Sequence, residues 1–148
     1  MFKREVRVLG LTYRSYDDHR FILGVVFRGK LWFDGILYRR FDCRRGILDE
    51  LIDMFSESPH RGQVRVIVLD NLLYSAIDLL GVEKIHSTFN LPVVVLDDGK
   101  VIVAVGLDNV DDFMRVAGLD GKVEALRVAS MIADRLLELL TFKSQSIQ

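Results

Sequence analysis

The run VRVLGLTYRSYDD, residues 6–18, decides the fold. From Val6 to Leu11 it is apolar nearly throughout, the pattern of a strand buried on both faces in the middle of a sheet. A first strand over Glu5 to Leu11 is therefore expected to lie centrally, flanked by the second and fourth strands. Beyond Leu11 the apolar run stops. Thr12, Tyr13 and Arg14 follow, and the first acids are Asp17 and Asp18, in what reads as a polar connection to the next strand.

Working outward, Phe21 to Phe27 and Leu31 to Leu37 are two further strand-like runs joined by Arg28-Gly29-Lys30, a hairpin signal. The period then changes. Ile47, Leu48, Leu51, Ile52 and Phe55 recur at helical spacing with acids between them, and Ser58-Pro59 ends that helix. Val64 to Leu69 is a fourth strand. LLYSAIDLL and VEKIHSTF read as two short helices separated by Gly81. LPVVVL is a strand with Pro92 where a missing N–H is tolerated, and Asp98-Gly99 turns the chain into KVIVAVG. Asp108 is expected to cap a helix through Val116. A long amphipathic helix is expected from Lys122 to Leu140, followed by a frayed KSQSIQ. The order βββα, then βαβ, then further helix, predicts a mixed sheet with helices on its faces. It fits a ribonuclease H-like α/β fold: an antiparallel three-strand meander, then parallel strands.

The chain has 148 residues, half of them apolar, which fits one domain over residues 1–148 with a real core. Its one cysteine, Cys43, excludes a disulfide framework and has no neighbouring partners; it reads as a bystander. No stretch suggests a signal peptide or approaches the ~20 apolar residues of a spanning helix, so a soluble cytoplasmic protein with no membrane partner is expected. The net charge of −1 hides an asymmetry. Residues 1–65 hold 13 Lys+Arg against 9 Asp+Glu, and residues 66–148 hold 7 against 12. Such a split marks a nucleic-acid face, a contact between copies of the chain in a homo-oligomer, or simply two differently solvated surfaces.

Five segments in order, VRVLGL, ILGVVFRGKLWFDGIL, SPHRGQVRVIVLDN, LPVVVL and LRVASMIADRL, resemble the archaeal endonuclease dU family, which is considered related to endonuclease V. The resemblance implies a ribonuclease H-like fold and a DNA-repair hydrolase. Such an enzyme cuts DNA containing a deaminated base, using Mg²⁺ or Mn²⁺ held by converging carboxylates. The carry-over is incomplete. Where members typically continue G-I-D-D-G after the first strand, this chain has Gly10, Leu11, Thr12, Tyr13 and Arg14. Thr12 thus stands at the position of the first metal carboxylate, and a hydroxyl brings no negative charge. Asp70 remains after strand four but is followed by Asn71 where members have glycine. Asp34-Gly35 matches a family Asp-Gly, and Ser130 stands where many members have histidine.

The candidate catalytic and metal residues are therefore Asp70 and Asp34, with Asp17 and Asp18 as substitutes for the missing ligand. Each has a plainer reading: Asp70 as a helix N-cap, Asp34 as a paired strand carboxylate on the face of Trp32 and Ile36, Asp17 and Asp18 as a turn. Arg39, Arg40, Arg44 and Arg45 around Phe41 are candidates for holding DNA phosphates, or form a solvated connection. His60 resembles a family position. His19 and His86 read as surface residues. Two functions follow: a metal-dependent endonuclease, or a non-catalytic nucleic-acid- or protein-binding domain on the same fold.

Overall fold

The computed structural model describes residues 2–42 and 44–146, with side chains as far as Phe142. Cys43 and the end of the KSQSIQ tail lie outside the described residues. Strand β1 (Arg7–Tyr16) pairs antiparallel with β2 (His19–Arg28) and parallel with β4 (Val64–Asp70). With β3 (Trp32–Phe41), β5 (Val93–Asp97) and β6 (Lys100–Val105), they form a six-stranded sheet in the order β3-β2-β1-β4-β5-β6. The central place of β1 follows from its apolar residues: Val8, Leu9 and Leu11 are all fully buried. The mixed sheet with helices on both faces is consistent with the ribonuclease H-like class.

The strand is longer than its apolar run. Thr12 to Tyr16 stay paired with Leu23 to His19, and the connection is only Asp17-Asp18. Asp17 takes a left-handed φ of 50° that a short polar side chain tolerates. Thr12, Arg14 and Ser15 carry the strand past the point where hydrophobicity stops marking it.

Period-two alternation sorts the core into two layers. Leu9, Leu11, Ile22 and Ile67 pack against helices α1 (Ile47–Ser56) and α2 (Asn71–Phe89). Val8, Leu23, Val66 and Val68 pack against α3 (Val110–Ala117) and α4 (Glu124–Ser146). A two-residue ladder, β7 (Gly118–Leu119) with β8 (Lys122–Val123), leads into α4. This pairing delays α4 to Glu124, two residues after the expected start. Two other boundaries also differ. The break in α2 falls at Asp78 (φ 54°, ψ −169°), whose carboxylate accepts the Leu80 N–H at 3.0 Å; Gly81 lies within the helix. Helix α3 is capped by Asn109, which accepts from the Asp112 N–H at 3.0 Å, one residue beyond Asp108.

Helix α4 lies directly on β1. Ala125, Ala129 and Ala133 recur at four-residue spacing and are all but fully buried, so the helix backbone approaches the sheet closely. Opposite them is Gly10. A Cβ there would stand 2.5 Å from the Ala125 carbonyl carbon and 2.6 Å from the Leu126 nitrogen. Both are backbone atoms, so the whole helix would have to shift. Gly10→Ala is therefore expected to destabilise the protein by about 1–3 kcal/mol, the usual range for overpacking. Gly62→Ala, which meets nothing within 4 Å among the described residues, serves as the control and should stay within about 0.5 kcal/mol of wild type. Urea unfolding of the two variants reads the difference, and equal midpoints would refute the close-approach constraint.

Candidate active site

Alternation along β1 and β4 sets Gly10, Thr12 and Arg14 on the side of α4. Asp70 joins them there, two residues after Val68. Leu11 pairs with Leu69 across the parallel ladder, so Thr12 and Asp70 leave the two central strands at one level. This is the carboxyl end of parallel strands, where open α/β sheets carry their sites.

Asp70 is fully engaged. One carboxylate oxygen accepts the Leu73 N–H at 2.8 Å and caps α2. The other accepts the hydroxyl of Thr12, which is completely buried. The same hydroxyl accepts from the Arg14 guanidinium, which stands 3.8 Å from that Asp70 oxygen and also donates to the Tyr13 carbonyl at 2.9 Å. Its Nε donates to Asp134 of α4 at 2.9 Å. Arg14 and Asp70 are mostly buried, with side chains 13% and 18% exposed, whereas Asp134 is open to water. A hydroxyl that donates once and accepts once thus links a cap carboxylate to a guanidinium held between two acids.

Beside Asp70 a cleft of about 360 Å³ runs between the ends of β4 and β5 and the start of α4, reaching Asp97, Asp98, Lys122, Arg127 and Ser130. Its cations are partly committed. Arg127 binds Glu124 through two bonds of 2.8 Å, and these hold its pKa above the ordinary arginine value. A divalent cation, which the family resemblance implies, does not fit the donors at Asp70. The carboxylate oxygens accept a cap N–H and a hydroxyl, and a fixed positive guanidinium already stands at the acid. Among the described residues, no group of three or more His, Cys, Asp or Glu side chains converges to hold a metal.

The other candidates lie elsewhere. Asp34 binds Arg7 at 2.9 Å and approaches Arg28 at 3.8 Å. These arginines alternate with Val8 and Phe27 of the α4-side core, so they face away from α4. Strand β3 is also three strand spacings from β4, about 14 Å. The structure does not bring Asp34 to Asp70. A register shift between Val26 and Phe27 sets Trp32 opposite Arg28 and Ile36 opposite Val25, so Trp32 and Ile36 do not share the expected face. Asp17 and Asp18 are exposed at the hairpin tip. Asp17 is five residues beyond Thr12 along an extended strand, about 17 Å.

Three of the four clustered arginines are matched by acids. Arg39 binds Glu57 and lies 3.6 Å from Glu50; Arg45 binds Asp53 at 2.7 Å and Glu50 at 3.2 Å; Arg44 binds Asp42 at 3.0 Å. The Arg44 bond holds the Asp42 carboxyl below its usual range, and the Asp53 bond, then Glu50, raises Arg45. Arg40 is exposed and has no ion pair among the described residues. His60 lays its ring where a Cβ of Gly35 would stand, which accounts physically for the glycine of Asp34-Gly35. His19 and His86 are half-buried; the His86 ring bonds the Leu91 carbonyl oxygen across 2.7 Å. Asp134 joins the site without having been a candidate from the sequence; its one signal there is a spacing of one helical turn from Ser130.

The sequence is similar to several archaeal proteins. A UPF0215 protein of Methanopyrus kandleri is 30% identical over 135 residues, covering 84% of this chain and 68% of that one. A UPF0215 protein of Methanosarcina mazei is 35% identical over 98 residues, covering 64% and 49%. Beside the Methanosarcina relatives the chain thus spans about half their length. A crystal structure of a protein of unknown function from Archaeoglobus fulgidus superposes with a TM-score of 0.73 at 18% identity, over 88% of this chain and 98% of that one, and so shares the fold. The family described as Endonuclease dU matches residues 4–103, two thirds of the sequence, and with the Methanopyrus relative this shows that the chain belongs to the endonuclease dU family.

Proposed function

We propose that this chain is a non-cleaving member of the endonuclease dU family that uses the fold as a binding domain, DNA being the partner class that the resemblance implies. In this reading Arg14 supplies the positive charge beside Asp70 that a nuclease of the family would take from Mg²⁺ or Mn²⁺. The observation that carries it is the convergence of Thr12 and Arg14 on Asp70. Thr12 removes one negative charge from the position of the first ligand, and Arg14 adds one positive charge beside the second. A small cation that sheds water reluctantly needs the summed charge of several carboxylates. One specific observation favours the other reading, an active nuclease: Asp70 survives at the end of β4 beside an open cleft.

Calorimetric Mn²⁺ titration and nicking of uracil- and hypoxanthine-containing DNA separate the two. Wild type is expected to show neither saturable Mn²⁺ binding nor metal-dependent nicking. Thr12→Asp alone should also fail, because Arg14 would pair with the new carboxylate. Thr12→Asp combined with Arg14→Ser should bind Mn²⁺. Metal-dependent nicking by wild type that disappears in Asp70→Asn overturns the proposal.

Stability gives an independent reading. Asparagine caps helices as well as aspartate does, so Asp70→Asn removes the charge beside Arg14 and leaves the cap. The loss of a charge-assisted network should lower unfolding stability by about 1–3 kcal/mol. At a site of converging carboxylates the same change would relieve repulsion and raise stability, so the sign of the shift in urea midpoint discriminates.

A further inference from the structure

At the opposite end of the sheet from Asp70, a cavity of about 410 Å³ opens where the segment before β1, the β2–β3 turn and the end of α3 meet. Four cations line it, Arg4, Arg28, Lys30 and Arg115, against one carboxylate, Glu5. Their positive charge is only partly answered. Arg4 is exposed and has no ion pair among the described residues. The buried Nε of Arg28 has no hydrogen-bond partner among the described residues; it stands 3.8 Å from Asp34, an acid bound more closely by Arg7. Lys30 donates to the Arg115 carbonyl at 3.3 Å, a neutral acceptor. Arg115 alone is closely paired, with Asp112 at 2.7 Å.

Trp32 forms part of the same wall. It is 58% exposed, and among the described residues no other ring and no guanidinium stacks on it. The cavity floor is held by the backbone. Gly29, at φ 62°, donates its N–H to Val6 at 2.8 Å and packs where a Cβ would strike the Arg4 carbonyl. The Phe2 N–H donates to Asp112 at 2.7 Å, tying the start of the chain to α3.

A guanidinium matches the planar, bidentate geometry of phosphate, and that of Arg4 is free of close acids among the described residues. A large exposed indole offers a stacking face for a base. The volume lies in the range of pockets that enclose one small ligand. We infer that this cavity binds a single nucleoside phosphate, with the phosphate on Arg4, Arg28 and Lys30 and the base on Trp32. The nucleotide is either free or the 5′-phosphorylated end of a strand; the recognised chemistry is the same. The site is separate from Asp70 and independent of whether that centre cleaves.

Trp32 is the sole tryptophan, so its fluorescence reports on this cavity. The full chain is titrated with AMP, adenosine, inorganic phosphate, and a short single-stranded oligonucleotide with or without a 5′-phosphate. AMP is expected to quench Trp32, phosphate to compete without quenching, and adenosine to bind at least about tenfold more weakly than AMP, since it lacks the charge-assisted contacts. Arg4→Ala with Lys30→Ala should weaken AMP about tenfold or more with an unchanged circular dichroism spectrum and melting temperature. A 5′-phosphorylated strand that binds more tightly than both AMP and its unphosphorylated form assigns the site to strand ends; AMP binding as tightly as that strand assigns it to the free nucleotide. No quenching by either ligand at millimolar concentration, equal binding of adenosine and AMP, or AMP affinity unchanged in the double variant overturns the inference.

Discussion

The seating of α4 on β1 at Gly10 conditions much of the rest. A helix backbone this close to a strand requires a residue without a side chain below and a row of small ones above, and Gly10 with Ala125, Ala129 and Ala133 supplies both. The contact covers the face of the central strand that Thr12 and Arg14 share. It also places Asp134 two turns beyond the contact, where the Arg14 guanidinium reaches it. Without that helix, Arg14 would be a solvated arginine on an exposed strand. Beneath it, the side chain is mostly buried and held between two carboxylates.

That burial decides the chemistry at Asp70. A carboxylate removed from water needs hydrogen bonds and a countercharge. A metal ion can supply the countercharge only if other acids share the cost of stripping its water. Here the neighbours are a hydroxyl and a guanidinium, and each oxygen of Asp70 has its own donor. Once the local charge is balanced by a covalently attached cation, a mobile divalent ion gains little and must displace the arginine first. For this reason the identity of residue 14 matters as much as that of residue 12: restoring an acid at Thr12 without removing Arg14 adds a partner for the guanidinium.

The central strand, the meander and the order of elements were legible because they depend on continuous apolar runs. The features that were illegible depend on backbone geometry or on polar alternation. The second half of β1 was hidden because Thr12, Arg14 and Ser15 keep the strand period with side chains that carry no hydrophobic signal. The break at Asp78 rather than Gly81 and the α3 cap at Asn109 rather than Asp108 are choices between nearby turn-forming residues, and local chemistry favours each almost equally. The register shift beside Asp34 changed the sharing of faces along β3, and nothing in strict alternation announces such a shift. At the site, Asp70 was legible at a strand end, whereas Asp134, the other acid on Arg14, lies 64 positions later and meets Arg14 only through the tertiary fold.

The two ends of the sheet differ in how their charge is settled, and this separates what each can do. At the Asp70 end, Arg14 and Arg127 each have a nearby carboxylate partner. An anion arriving there must compete with acids already in contact. At the Trp32 end, Arg4 has no ion pair among the described residues, Arg28 stands 3.8 Å from an acid that Arg7 also binds, and Lys30 rests on a carbonyl. Cations gathered around a cavity repel one another, and water screens that repulsion least where the walls exclude it. The inferred phosphate contact at the second end rests on this difference: an anion there meets cations with fewer carboxylates already in contact, at the end where the family resemblance places no catalytic residue.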